Sequence, residues 1–262
     1  MVDKDPLLWP PRQQYATGRQ SLGLSMTSLS IWAAILRAAM LLDIVRLVAT
    51  IDWRVICGTT GSGKTRLLQA LAQEGEQVLD LEALANHRSS VLGAIPGLPQ
   101  PTQKRLDSLV WDAMRGLDPQ RPVYIESESK KVGNVAVPVA LIEAMRKSPC
   151  LNLVLPDADR VALLMEDYDF FVKDTEYFCD RLQILTEFRG KTVVEDWQSS
   201  VRAGQIEPVV QALLTEHYDP VYVQSMKRNF EQYEVSRTIT PQDHTQQAMQ
   251  KLAQEINSEK AE

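Results

Sequence analysis

The chain is poor in cysteine and in histidine. Its 262 residues include three cysteines, Cys57, Cys150 and Cys179, and three histidines. That spacing gives neither a disulfide framework nor a Cys/His zinc set. Cys57 and Cys150 sit in apolar runs and read as small core residues. A reduced, cytoplasmic setting is expected. Positive charge is also short: 28 Lys and Arg stand against 34 Asp and Glu, a net −6. No global field draws in nucleic acid, so any RNA site must come from a local basic patch. No secretory signal is visible, and no uninterrupted apolar run reaches the ~20 residues that span a bilayer. The most membrane-like stretch, residues 31–50, is broken by Arg37, Asp43 and Arg46. A helix packed on the main domain is expected there, with no membrane role.

What is present is an alternation of strands and helices. "WRVIC" at 53–57 is a β-branched strand, and "KTRLLQALAQEG" a helix stopped by Gly75. "QVLDLE" at 77–82, "RPVYIE" ending at Glu126 and "CLNLVLP" from Cys150 read as further strands. Residues 103–115 and "PVALIEAMRKS" read as helices between them. The alternation predicts an α/β fold, a parallel sheet with crossover helices. After Pro156 helices dominate, over 158–188, 191–203 and 206–216. The expected organisation is a poorly ordered or remnant segment 1–42, an α/β domain 43–157, a helical extension 158–237 and a polar tail 238–262.

"GTTGSGKT", residues 58–65, lies between a strand and a helix. It marks a phosphate-loop NTPase-like sheet. Gly58, Thr59, Thr60, Gly61, Ser62, Gly63, Lys64 and Thr65 form the expected phosphate site. Backbone N–H groups of such a loop make an anion nest, reinforced by the positive end of the helix that follows. Lys64 would reach the terminal phosphate, and the Thr65 hydroxyl would hold Mg²⁺. Glu126, Glu128 and Asp80, at strand ends, are the companion carboxylates for Mg²⁺, with Glu82 beside Asp80. If both pairs lie on strands, residues i and i+2 share a face and converge. His87 and Arg88 follow the second strand, and Lys130 and Lys131 follow the acids. These four are the candidate anion or RNA contacts, since ligands bind at the C-terminal edge of a parallel sheet. ATP or GTP is one ligand the loop could take, in a small-molecule kinase or phosphotransferase.

Taken in order, "GTTGSGKT", "LDLEALANHR", "ESESKKVGN" and "EHYDPVY" resemble bacterial tRNA 2-selenouridine synthases, over roughly residues 43–235. The resemblance implies attachment of a geranyl group, from geranyl diphosphate, to the sulfur of 2-thiouridine at the tRNA wobble position. Replacement of that sulfur by selenium from selenophosphate follows. It makes tRNA the partner and a diphosphate or selenophosphate the loop's ligand. Arg88, Lys104, Arg105, Lys130 and Lys131 are then the expected RNA contacts. Tyr218 and Tyr222 could stack a base, or pack the helical tail onto the domain. The family also carries an N-terminal rhodanese-like domain with an essential cysteine. Residues 1–42 are too short for it, and no cysteine precedes Cys57. The chain is therefore expected to be a partial enzyme, served by a separate rhodanese protein or reduced to a non-catalytic tRNA- and phosphate-binding fragment. Ser89 stands where the family motif has glycine, and would strain a turn that needs positive φ.

Overall fold

The strand that feeds the glycine loop is the middle of the sheet. In this computed structural model residues 26–258 are described, with side chains from residue 30. β1 (Trp53–Cys57) pairs in parallel with β3 (Val123–Glu126) on one side and β6 (Cys150–Leu153) on the other. β2 (Gln77–Leu79) extends the sheet beyond β3, and β7 (Arg237–Ile239) beyond β6, while β4 (Lys131–Val132) and β5 (Val135–Ala136) form a separate antiparallel pair. The order is β2-β3-β1-β6-β7, all parallel. Val55 aligns with Ile125 on β3 and with Cys150 on β6.

Both faces are covered, so β1 is apolar at successive positions and not only at alternate ones. Side chains along a strand point to opposite faces. Val55 and Cys57 meet a layer that includes α1 (Met26–Thr50), α4 (Gln103–Arg115) and α5 (Val139–Lys147). Ile44, Val48, Leu106, Val110, Leu141 and Met145 fill that side. Ile56 and Tyr124 point the other way, against α2 (Lys64–Gln73) and α13 (Gln246–Ser258). A third core holds Phe171, Phe178, Leu182, Trp197 and Val201 in the helical region between β6 and β7.

Four expectations are corrected. β2 stops at Leu79, because the Asp80 carboxylate accepts the Ala83 N–H (2.8 Å) and caps the short helix α3 (Leu81–Ala85). Aspartate at a strand exit is a strong N-cap, and the cap ended the strand here. Residues 238–258 are not a polar tail. Thr238 and Ile239 complete β7, and α13 buries Met249, Leu252, Ala253 and Ile256. This is a narrow i, i+3, i+4, i+7 stripe among glutamines, easily lost in the average polarity. The boundary at residue 43 falls inside α1, a single helix from Met26; the part of the expected remnant at 1–25 lies outside the described residues. Finally, 158–188 is several short helices, α6 (Asp157–Asp167), α7 (Asp169–Lys173), α8 (Thr175–Leu182) and α9 (Thr186–Arg189), followed by α10 (Lys191–Arg202), whereas 206–216 belongs to a longer run. That run is α11 (Ile206–Ala212), a π-helical turn (Leu213–Tyr218) and α12 (Asp219–Asn229).

Helix α13 tests whether the last segment belongs to the core. Leu252→Ala is expected to lower the unfolding free energy by about 2–5 kcal/mol in urea titration, the range for a truncated core leucine. A loss within ~0.5 kcal/mol, typical of a surface change, would place the helix outside the cooperative unit.

Candidate functional site

Gly58 leaves β1 with no room for a side chain. A Cβ there would lie 2.4 Å from Ser62 Oγ and 2.6 Å from the Leu153 carbonyl. Gly63 caps α2 at φ +87, a left-handed conformation, with Met249 Cε where its Cβ would be. Glycine is thus required by close approach at one end of the loop and by backbone conformation at the other. Lys64 folds back onto the loop: Nζ donates to the Gly58 carbonyl at 2.7 Å and lies 5.5 Å from the Tyr222 ring centroid. The Thr65 hydroxyl donates to Glu82 Oε2 at 3.2 Å.

Three carboxylates meet beside Thr65. Oxygens of Glu82, Glu126 and Glu128 all lie within 4.8 Å of one another. Glu126 and Glu128 come from the end of β3, which neighbours β1 directly. Glu82 comes from the first turn of α3. Ser89 donates its N–H to Glu82 Oε1 at 2.7 Å and its hydroxyl to Glu128. Glu126 Oε2 is sealed from solvent and has no partner among the described residues. Asp80 is spent on its helix cap, so Glu82, its neighbour on α3, supplies the third carboxylate.

The helical region closes over this loop. Arg160 of α6 (Asp157–Asp167) is 4% exposed. It donates to the Thr60 carbonyl from Nε (3.0 Å) and Nη2 (2.8 Å), and pairs bidentately with Asp219. Tyr222 Oη accepts the Gly58 N–H at 2.7 Å and lies 3.0 Å from Ser127 Oγ. Tyr222 therefore fastens α12 to the loop. Tyr218, Val221, Tyr222, Ser225, Met226 and Asn229 line one side of a cleft of about 870 Å³ at helical spacing. Glu82, Glu126, Glu128, Lys64 and Thr65 line it too.

Arg88, Lys130 and Lys131 also reach this cleft. Arg88 pairs with Asp167 (3.1 Å) and stacks over Tyr168. His87 lies elsewhere, buried against Gly133 and lining a separate cavity of about 960 Å³ with Asn134 and Arg181. Lys104 and Arg105 are on α4, away from the lining of the cleft. Ser89 is not strained: Asn86 is the non-glycine residue with positive φ among those described. Arg160, Asp219 and His217 escaped the sequence reading as site residues. "EHYDPVY" contains two of them, but nothing local announces a contact with a loop some 160 positions away.

A sequence model of the tRNA 2-selenouridine synthase AAA domain matches residues 51–183, which run from the start of β1 past the acids into the helices. The chain belongs to this family. Its curated relatives include tRNA 2-selenouridine synthases of Marinobacter nauticus and Sulfurovum sp., each 30% identical, over 65% and 67% of this chain. That of Nitrosomonas eutropha is 39% identical over 44% of this chain and 30% of its own length. The chain spans about half the length of the first two, 53% and 54%. The match to the family model contains the glycine loop and all three clustered carboxylates; Asp219 and Tyr222 lie beyond it. No helix among the described residues is long and apolar enough to cross a membrane.

The electrostatics of the acid cluster are unfavourable as it stands. Burial raises the pKa of all three carboxyls, and the mutual repulsion of the cluster adds to it at Glu126 and Glu128. Glu128 is pushed from an ordinary 4.5 to about 8. Between those values the folded protein holds a proton that the unfolded chain has released, so stability falls as pH rises through this window. Melting in EDTA from pH 5 to 9 is expected to show that decline. Glu128→Gln should flatten it and raise the melting temperature at pH 8. A variant with the wild-type slope would contradict the shift.

Proposed function

We propose that this chain is the phosphate-handling part of a tRNA-modifying enzyme that acts at the 2-position of the wobble uridine. In this reading the glycine loop takes the diphosphate of geranyl diphosphate, or selenophosphate. The observation that carries it is the shared cleft: the loop, the three carboxylates and an apolar helix face open into one space. A nucleotide needs the loop and the acids; a hydrocarbon tail also gives Leu164 and the exposed Val221 a partner.

The chemistry follows from what these residues can do. When the sulfur of 2-thiouridine attacks the allylic carbon, the C–O bond breaks and both electrons leave with the diphosphate. The loop N–H groups and Lys64 Nζ would meet that charge where it develops. Lys64 must first give up the Gly58 carbonyl. Glu82, Glu126, Glu128 and Thr65 would hold a divalent cation. An all-oxygen set with a sealed, unpartnered carboxylate oxygen fits a hard ion such as Mg²⁺. Such an ion, when bound, neutralises phosphate charge. Arg88, Lys130 and Lys131 at the cleft would meet the RNA backbone. None of the three cysteines lines the cleft, and all are buried. Any cysteine-dependent step would use a thiol from outside these residues, such as a rhodanese partner.

Calorimetric titration with geranyl diphosphate, selenophosphate and MgATP tests this. Geranyl diphosphate or selenophosphate is expected to bind more tightly than MgATP, and Lys64→Ala to weaken it at least about tenfold, the scale of a lost charge-assisted contact. Unchanged affinity in Lys64→Ala would remove the loop from the reaction. Preferred binding of MgATP with phosphate transfer would make the chain a phosphotransferase instead.

A further inference from the structure

The π-helical turn Leu213–Tyr218 widens the helix just before α12. Such turns are uncommon and recur at functional sites. Here the turn carries His217, which lines the cleft although only 8% of it is exposed. His217 Nδ1 accepts a hydrogen bond from Arg189 Nε at 3.2 Å, and Arg189 also donates to the Glu216 carbonyl. A guanidinium can only donate, so Nδ1 carries no proton. Burial and the Arg189 charge both hold the His217 pKa below its ordinary value. The ring is therefore neutral and its proton sits on Nε2. Nε2 has no hydrogen-bond partner among the described residues, and it is not among the sealed atoms.

Phe188 stands beside it. Its ring lies 5.9 Å from that of His217, at 60°, and lines the same cleft, yet 63% of the residue is exposed. A large aromatic left in water next to a single fixed N–H donor suits a flat ring with an acceptor on its edge. A hydrocarbon would leave the Nε2–H unsatisfied. An anion would gain more from Arg88, Lys130 or Lys131 elsewhere on the cleft wall. Tyr222, which touches the glycine loop, is five residues further along the chain, about 7.5 Å of helical rise.

We propose that Phe188 and His217 form the seat of an unpaired RNA base, with Phe188 stacking on its face and His217 Nε2–H donating to an exocyclic acceptor on its edge. The seat rests on the tRNA reading above and places the target base within reach of the loop's ligand. It deepens that reading by naming the residues that would hold the base.

The test uses the full chain and fluorescence anisotropy. The probes are an anticodon stem-loop RNA with 2-thiouridine at the wobble position and the same RNA abasic there. The wild type is expected to prefer the base-bearing RNA. Phe188→Ala and His217→Ala should each cut that preference by about tenfold, the scale of one base–aromatic stack. Phe188→Tyr and His217→Gln should keep most of it. Pyrophosphate affinity should be unchanged throughout. An unaltered preference in Phe188→Ala, whose exposed site tolerates truncation, would overturn the seat while leaving RNA binding in place. A wild type that binds neither RNA but still binds pyrophosphate would overturn the seat and the tRNA reading together.

Discussion

The site depends on one buried guanidinium. Arg160 holds the Thr60 carbonyl with two N–H groups and Asp219 with two more, and it reaches Asp157 as well. It therefore joins the glycine loop, α6 and α12 at one point. A charge this buried is tolerable only because carboxylates and a carbonyl satisfy it. Losing Arg160 would leave the Asp219 carboxylate and the Thr60 carbonyl without this donor, and losing Asp219 would leave a buried guanidinium short of a countercharge. The consequence is positional. The loop conformation is set partly by helices inserted between β6 and β7, and the cleft wall on α12 is set by the loop. Tyr222 makes the same connection a second time, through the Gly58 N–H.

The carboxylate cluster pulls in the other direction. Three acids in one dry corner cannot all ionise cheaply, and Lys64 alone does not offset them. Ser89 relieves the cluster in part, donating its N–H to Glu82 and its hydroxyl to Glu128. A ligand set of this kind is better satisfied by a cation than by protons. Lys64 is in a parallel position, since its charge is met by the loop's own carbonyls. On the proposed reading, an incoming phosphate would take Lys64 from the carbonyls, and a cation would occupy the carboxylate cluster.

Much of this fold was legible because the relevant signals are local. The β-branched run before the glycines, the glycine pattern and the apolar periodicity of residues 103–115 each act over a few residues. Glu126 and Glu128 were legible for the same reason, as acids at a strand end. Asp80 and Glu82 were not separable by sequence. A three-residue shift in where β2 ends turns one into a helix cap and the other into a member of the cluster. Helix α13 was hidden because five buried residues suffice to dock it, while its glutamines dominate the composition. His87 shows the limit of adjacency: it precedes Arg88 in sequence, yet the turn at Asn86, in a left-handed conformation, sends it to a different cavity.

The least legible part is the long-range closure, and it carries the specificity of the cleft. A glycine loop with nearby acids exists in many chemistries and says only that an anion is held. What distinguishes this cleft is the wall contributed by residues 213–229. Those residues reach the loop through Arg160 and Tyr222, across 59 and 164 positions of sequence. No window of sequence contains both sides of such a contact. On the proposed reading, the loop would fix where charge is stabilised and the wall would select the molecule that brings its reacting bond there. Substrate choice would then lie with the helical region, which Arg160 and Tyr222 tie to the loop.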